Sequence, residues 1–255
     1  MIFLRSIERT GDVEEGSGFP FDLPSVREFR RIEITAPITF FVGENGTGKS
    51  TLLEAIGLRA KLNCAAGEPL EHDASLVPIH ALARSLRLGW MPQTRYGFFL
   101  RVEDFFRYTR EQRARSLPAA ELSVGAGAEV RARPVPAPGG DPREEMEPAG
   151  QSPGEGFLNF LQTHCVPGGL HLIDDPEAVL SPQRQLAFMS LLKAVVAENA
   201  QFIIATHSPI LLAYPGAQIL CFDAGSIRVV DYNALDHVNV TRRFLADPDA
   251  YLRTL

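Results

Sequence analysis

Residues 38–50 have the sequence ITFFVGENGTGKS, and this stretch decides the fold. Its first five residues form a dense β-branched and aromatic run, which predicts a strand buried on both faces of a parallel sheet. A glycine-rich turn follows, and residues 50–62 then carry leucine and isoleucine at helical spacing. The stretch therefore predicts a strand, a turn and a helix in immediate succession.

The turn and the start of the helix match the pattern G-x-x-x-x-G-K-[ST], which binds nucleotide phosphates. Its glycines let successive backbone N–H groups point at a phosphate, and the helix adds the positive end of its dipole. Lys49 would bind the β- and γ-phosphates, and the Ser50 hydroxyl is a hard oxygen ligand for Mg²⁺. A chance glycine-rich turn is the alternative, which the preceding strand and following helix disfavour. The candidate nucleotide-binding residues are Gly43, Glu44, Asn45, Gly46, Thr47, Gly48, Lys49, Ser50 and Thr51.

Two later strands end in polar residues. The run LHLID ends at Asp174. Taken alone, such an aspartate would be assigned to a turn or a helix start. In a chain that also has a phosphate loop, it is predicted as a second Mg²⁺ ligand. Asp175 follows, where a carboxylate could polarise the attacking water. His207 follows the run QFIIAT and could contact the γ-phosphate or that water, although such a histidine is more often structural.

Strand and helix patterns alternate along the chain. Strands are predicted at 1–6, 31–35, 97–100, 169–173 and 201–206, a hairpin at 219–222 and 227–230, and helices at 79–88, 103–115, 182–198 and 240–255. This alternation predicts an α/β fold with a mostly parallel sheet flanked by helices. Residues 117–156 are rich in proline and glycine, and we expect a mobile surface insertion there, at about 117–150, within one domain spanning residues 1–255.

Composition excludes several classes of protein. The 255 residues carry a net charge of −6, which is not the footprint of a dedicated nucleic-acid binder, although local basic patches stay open. Three widely spaced cysteines argue against a disulfide framework or a zinc ribbon. The first ten residues, MIFLRSIERT, carry charges, and no apolar run reaches 18 residues. We therefore expect no signal peptide, no membrane segment and a cytoplasmic protein.

Four ordered motifs resemble the ATP-binding-cassette (ABC) ATPases, and most closely their soluble branch of RecF/SMC-like and OLD-like proteins and small bacterial AAA-family ATPases. The motifs are GENGTGKST, SPGE at 152–155, LIDDPEAVLS at 172–181 and ATHSP at 205–209. The resemblance implies a P-loop NTPase of the ABC ATPase-head type, with an N-terminal antiparallel β part. It also implies ATP and Mg²⁺ as ligands and an ATP-dependent homodimer.

The resemblance assigns roles along the chain. Residues 43–51 would be the Walker A loop, Asp174 the Walker B magnesium ligand, residues 178–181 the D-loop and His207 the switch histidine. A signature of Ser152, Gly154 and Glu155 would reach across the dimer to the γ-phosphate of the partner's ATP. The polar residue of the Gln-loop is either Gln93 or Glu103, and the family strings favour Glu103.

Two residues depart from the family pattern. Asp175 stands where the family has glutamate, which shortens the reach of the carboxylate by about 1–1.5 Å and predicts slow hydrolysis. Glu177 is a possible substitute base, although the family places this position in the loop rather than at the water. Pro153 lies inside the signature and removes one backbone donor, leaving the Ser152 hydroxyl and the Gly154 N–H.

Three functions remain open from the sequence. The first is an ATPase that acts on DNA in repair, genome maintenance or phage defence, with DNA as a candidate partner. The second is the nucleotide-binding subunit of an ABC transporter, which Ser181 disfavours because such subunits usually carry aspartate there. The third is a non-hydrolysing switch gated by ATP, which Asp175 favours.

Overall fold

The computed structural model describes residues 1–11, 18–64, 67–116 and 152–253. Within these residues the strands form two sheets, flanked by helices. The strands are β1 (Leu4–Arg9), β2 (Arg31–Glu33), β3 (Ile38–Val42), β4 (Asn63–Cys64), β5 (Leu86–Trp90), β6 (Gly97–Arg101), β7 (Leu170–Asp174), β8 (Gln201–Ala205), β9 (Gln218–Cys221) and β10 (Arg228–Val229). The helices are α1 (Pro24–Glu28), α2 (Lys49–Ala60), α3 (His80–Ser85), α4 (Val102–Ser116), α5 (Pro153–His164), α6 (Pro182–Ala197), α7 (Pro209–Leu212), α8 (Asp236–Ala246) and α9 (Pro248–Leu252).

The larger sheet has the strand order β10-β9-β3-β8-β7-β6-β4. Its strands pair in parallel except β10, which pairs with β9 in antiparallel fashion. In this register Phe41 faces Ala205, Ala205 faces Asp174, and Asp174 faces Arg101. Because parallel strands end at the same edge, the phosphate loop and the residues after β7 and β8 meet there.

The sheet is covered on both faces, as the α/β prediction requires. Phe41 packs in a core with α2 and the smaller sheet, whereas its neighbour Phe40 packs on the opposite face with α5 and α6. Every residue of β3 is buried, so the ITFFV run forms the doubly covered strand that its composition predicts. The predicted fold class is confirmed. None of the helices in the described residues has the length and apolar character needed to cross a bilayer.

The smaller sheet is antiparallel, with the order β2-β1-β5, and two buried glutamines join it to the larger one. The Gln201 Oε1 atom accepts the N–H groups of Phe3 and Leu4 at 2.9 and 2.8 Å, and its Nε2 atom donates to the Leu4 carbonyl at 2.9 Å. Gln218 accepts the N–H of Thr35 at 2.9 Å and donates to the carbonyl of Glu33 at 2.8 Å. These side-chain bonds to the backbone tie the smaller sheet to strands β8 and β9 of the larger one.

Several predicted boundaries were wrong. The helix predicted at 79–88 ends at Ser85, because the following residues pair with β1 as strand β5. The helix predicted at 240–255 is two helices, α8 and α9, separated at Asp247, whose side chain accepts the N–H of Ala250 at 3.1 Å and so caps α9. No helix is predicted at 153–164, where α5 forms.

The predicted insertion, at about 117–150, falls just before α5 in the chain. Residues 117–151 lie outside the described residues, so its mobility stays a prediction. Residues 153–156, the end of the proline- and glycine-rich stretch, are the first turn of α5. Pro153 occupies the first helical position, where its missing N–H has no intrahelical partner to lose.

Candidate nucleotide-binding and hydrolytic site

The phosphate loop curls between the end of β3 and the start of α2. Gly43, Gly46 and Gly48 have φ values of 148°, 82° and 99°, in the left-handed region that favours glycine. A Cβ atom at Gly43 would lie 2.9 Å from the Asp223 Oδ1 atom, and one at Gly48 would lie 2.7 Å from the Ser25 Oγ atom. The loop therefore requires glycine at positions 43 and 48 for space as well as for conformation.

Lys49 is folded over the loop that it belongs to. Its Nζ atom donates to the carbonyl oxygens of Gly43 at 2.7 Å and Glu44 at 2.9 Å. The side chain is buried, and burial lowers the pKa of Lys49 while the charge of Asp175 opposes this shift. The ammonium group of Lys49 thus keeps a third N–H donor that neither carbonyl accepts.

Ser50 and Asp174 meet at the start of α2, as the sequence predicts for a magnesium site. The Ser50 hydroxyl donates to the Asp174 Oδ1 atom at 3.1 Å. Burial, followed by the nearby charge of Asp175, raises the pKa of Asp174 to about 7. A divalent cation would favour the ionised carboxylate, and these two oxygens fit Mg²⁺, which completes its shell with phosphate oxygens and water. No group of three or more His, Cys, Asp or Glu side chains placed to hold a metal ion occurs within the described residues.

Asp175 occupies an uncommon backbone conformation directly after β7. Its φ and ψ values are 48° and 50°, in the left-handed region that aspartate tolerates better than most residues. Its N–H donates to the Ala205 carbonyl at 3.0 Å, while its buried Oδ1 atom has no hydrogen-bond partner among the described residues. An unsatisfied buried carboxylate oxygen costs about 1–3 kcal/mol, so this oxygen suits a donor that is brought by a ligand.

His207 and Asp175 line the same cavity, which has a volume of about 190 Å³. Burial, and then the charge of Lys49, lowers the pKa of His207, which favours a neutral imidazole at pH 7. The cavity is lined by residues of the phosphate loop and by side chains from other elements; its lining consists of Phe19, Leu23, Asn45, Gly46, Gly48, Lys49, Ser50, Thr51, Asp175 and His207. The structure therefore brings together the loop and both residues that the sequence predicts as catalytic.

The sequence did not indicate Phe19, Leu23 or Asp223 as site residues. Phe19 and Leu23 form an apolar wall beside the glycines of the loop, and Phe19 is 53% exposed. Asp223 follows β9 and accepts the N–H of Glu44 at 2.8 Å, which fixes the start of the loop. Phe19 and Leu23 lie in a Gly/Pro-rich stretch with no motif, and only the end of the strand marks Asp223.

The signature residues lie at the start of α5, away from this cavity. The Glu155 carboxylate accepts the N–H of Ser152 at 3.2 Å and pairs with Arg184 of α6 at 3.1 Å. A Cβ atom at Gly154 would lie 2.8 Å from the Val179 carbonyl, so the signature packs closely on the D-loop segment of its own chain. The Gly154 N–H is in the first turn of α5, where helical N–H groups have no intrahelical acceptor.

Glu103 and Gln93 lie beyond opposite ends of strand β6. Glu103 is in the first turn of α4, with its side chain 74% exposed and 3.4 Å from the Arg101 Nε atom, next to the strand that carries Asp174. Gln93 precedes β6 and lines a cavity with Arg59, near the C-terminal end of α2. Of the two candidates, only Glu103 is at the phosphate-loop edge, although it does not line the cavity.

Comparison with protein families gave two matches. A family described as "AAA domain" matches residues 21–58, which include the whole phosphate loop. A second, described as "AAA domain, putative AbiEii toxin, Type IV TA system", matches residues 158–213, which include Asp174, Asp175 and His207. Both matched segments are ATPase-domain segments. They agree with the resemblance to the soluble ABC-type ATPases and support ATP binding by the chain.

Comparison with solved structures found similarities at low sequence identity. The chain is similar to cbiO1 from Clostridium perfringens, part of the ABC transporter complex cbiONQ, with 14% identity, a TM-score of 0.47 and 100% of both chains covered. It is also similar to the SMC head domain from Thermotoga maritima, with 13% identity, a TM-score of 0.43 and coverage of 90% of this chain and 98% of that one. No curated protein matches the chain.

Proposed function

We propose that the protein binds Mg²⁺-ATP in the cavity and hydrolyses it slowly, while a second copy of the chain completes the site. The observation that carries this proposal is the meeting of Lys49, Ser50, Asp175 and His207 around one cavity, with Asp174 bonded to Ser50. Lys49 and the backbone N–H groups of residues 43–51 bind the triphosphate. Ser50 and Asp174 hold Mg²⁺, which supplies charge neutralisation on the phosphates.

Asp175 and His207 act at the γ-phosphate side. The unpartnered Oδ1 atom of Asp175 accepts a proton from the attacking water, and His207 donates to the γ-phosphate or orients that water. Phe19 offers an exposed aromatic face at the rim, on which the base of the nucleotide stacks. Glu103, in the first turn of α4, serves as the polar residue of the Gln-loop.

A second copy supplies what one chain lacks. Ser152, Gly154 and Glu155 do not line their own cavity, yet they lie together at a helix N-terminus, which is suited to anions. In the homodimer the Ser152 hydroxyl and the Gly154 N–H bind the γ-phosphate of the partner's ATP, while the Glu155 carboxylate accepts the Ser152 N–H and pairs with Arg184. Hydrolysis removes that contact and opens the dimer, which couples the chemistry to a conformational change.

Equilibrium binding of labelled ATP and analytical ultracentrifugation test this proposal. With Mg²⁺ and ATP the wild type binds nucleotide and dimerises, Lys49→Ala loses both properties, and Ser152→Arg keeps nucleotide binding but loses the dimer. The matched control is Ser190→Arg, at an exposed serine on α6, which dimerises like the wild type. Dimerisation of Ser152→Arg with ATP would refute the two-chain site, and absence of ATP retention by the wild type would refute the whole proposal.

The biological role is proposed from the soluble branch that the motifs resemble, namely DNA repair, genome maintenance or phage defence. If DNA is the partner, ATP turnover rises with added DNA at low salt and the stimulation disappears at high salt. Equal turnover at both salt concentrations, with and without DNA, would favour the subunit of an ABC transporter. ATP-dependent dimerisation without turnover would favour the non-hydrolysing switch, which the short side chain of Asp175 supports.

A further inference from the structure

Glu177 connects the turn after β7 to the segment after β8. Its Oε2 atom accepts the hydroxyl of Thr206 at 2.8 Å, and its Oε1 atom accepts the backbone N–H of His207 at 2.5 Å. Thr206 is fully buried, and Glu177 is partly buried. Both carboxylate oxygens therefore have donors that belong to the protein, two residues away from Asp175.

This arrangement argues against Glu177 as a substitute for the general base. A base must lie within hydrogen-bond reach of the proton that it abstracts. Glu177 does not line the cavity in the described part of the chain, whereas Asp175 and His207 do. The carboxylate of Glu177 points instead at the backbone that carries His207.

The same two segments are joined at further points. The Asp175 N–H donates to the Ala205 carbonyl at 3.0 Å, immediately before Thr206. On the other side, the Ser208 hydroxyl donates to the Gln185 Oε1 atom, and the Gln185 Nε2 atom donates to the Leu180 carbonyl at 3.0 Å. Among these bonds, the one between Glu177 and the His207 N–H directly holds the backbone of His207, whereas the bond to Ala205 holds the backbone of Asp175.

We propose that Glu177 is a positioning residue, which fixes the distance between His207 and Asp175 by holding the His207 backbone to the turn that carries Asp175. This role rests on the proposed function, because it acts on hydrolysis through His207. In this role Glu177 acts through the His207 backbone and does not itself contact the nucleotide or the attacking water. Loss of its acceptors lets the segment after β8 shift, and a displacement of about 1 Å at a catalytic group can lower the rate by about 10²-fold.

Two substitutions of similar shape distinguish positioning from base catalysis. Glu177→Met removes both acceptors, whereas Glu177→Gln keeps one carbonyl oxygen for the His207 N–H but cannot act as a base. We expect kcat to fall by about 10-fold or more in Glu177→Met and by less than about 3-fold in Glu177→Gln, with KM for ATP within about 3-fold in both. Glu198→Met, at an exposed glutamate after α6, is the control and leaves kcat unchanged.

A double-mutant cycle with His207→Ala tests whether Glu177 acts through that histidine. In the His207→Ala background, Glu177→Met should lower kcat no further. An equal loss of kcat in Glu177→Gln and Glu177→Met, or additive losses in the cycle, would overturn the proposal.

The backbone amide of His207 gives a readout that needs no turnover. In a ¹⁵N-resolved NMR spectrum its proton should resonate downfield, because its acceptor is a carboxylate, and should move upfield in Glu177→Met together with the ring signals of His207. If the wild type binds ATP without hydrolysing it, the proposed hydrolysis fails while this spectrum still decides the present proposal. Unchanged His207 signals in Glu177→Met would then overturn it.

Discussion

Replacing Asp175 with glutamate should raise the rate of hydrolysis. The added methylene moves the carboxylate about 1–1.5 Å further into the cavity that Asp175 shares with Lys49 and His207. A placement error of this size costs about 10²-fold in rate, which corresponds to about 2.7 kcal/mol of activation free energy. We therefore expect kcat of Asp175→Glu to exceed that of the wild type by about 10- to 100-fold.

The backbone at Asp175 gives this substitution a second, opposite effect. At φ 48° the left-handed conformation is easier for aspartate than for glutamate, and the difference should lower the free energy of unfolding by up to about 1 kcal/mol. Single-turnover phosphate release measures the first effect, and urea unfolding without nucleotide measures the second. The variant should be faster and less stable at the same time.

Asp175→Asn is the matched control, because asparagine also tolerates this backbone conformation but carries no carboxylate. We expect its kcat to fall below that of the wild type, with its free energy of unfolding within about 0.5 kcal/mol. A folded Asp175→Glu variant with unchanged ATP affinity and an equal or lower kcat would refute the explanation that the short side chain limits the rate.

Three further substitutions test the surroundings of the site. Burial raises the pKa of Glu54 from 4.5 to about 7, so its ionisation costs folding free energy. As the pH rises from about 4.5 to about 7, Glu54→Gln should gain stability over the wild type by an amount on the order of 3 kcal/mol. A pH-independent difference in urea unfolding would contradict this. Gln201→Met removes the acceptor of the Phe3 and Leu4 N–H groups, which are then left without a partner. This substitution should lower the free energy of unfolding by about 2–5 kcal/mol. The control Gln183→Met, at an exposed position, should lower it by less than about 0.5 kcal/mol. Gly48→Ala adds a Cβ atom 2.7 Å from a neighbouring hydroxyl, whereas the Cβ atom added by Gly46→Ala meets nothing within 4 Å. Gly48→Ala should therefore weaken ATP binding more than Gly46→Ala. Equal losses of ATP affinity would show that backbone strain alone is responsible.

The central strand, the phosphate loop and its helix could be predicted because their signals are local. The ITFFV run is apolar throughout, and glycine is the residue that the left-handed turn at 43 and 48 requires. The meeting of Ser50 with Asp174 was also predictable, because parallel strands end at one edge of the sheet.

Other features depend on contacts that are distant in sequence. Residues 86–90 continue the pattern of α3, and they become a strand because β1, about 80 residues earlier, pairs with them. The start of α5 has the proline and glycine content of the preceding segment, so composition hides its first turn. The acceptor role of Glu177 requires Thr206 and His207, which lie 29 and 30 residues further along the chain.

The internal bonds of Lys49 have a consequence for how the pocket selects among anions. Because the ammonium group already donates to two carbonyls of its own loop, it offers an incoming anion one remaining N–H donor, and any further bond from Lys49 must replace a bond to the loop. A singly charged ion such as chloride gains little from that one donor, whereas a polyanion that spans the whole loop gains at many amides together. The phosphate loop should therefore discriminate among anions by the number and spacing of their negative charges. The conformation of the loop should be nearly the same before and after an anion binds.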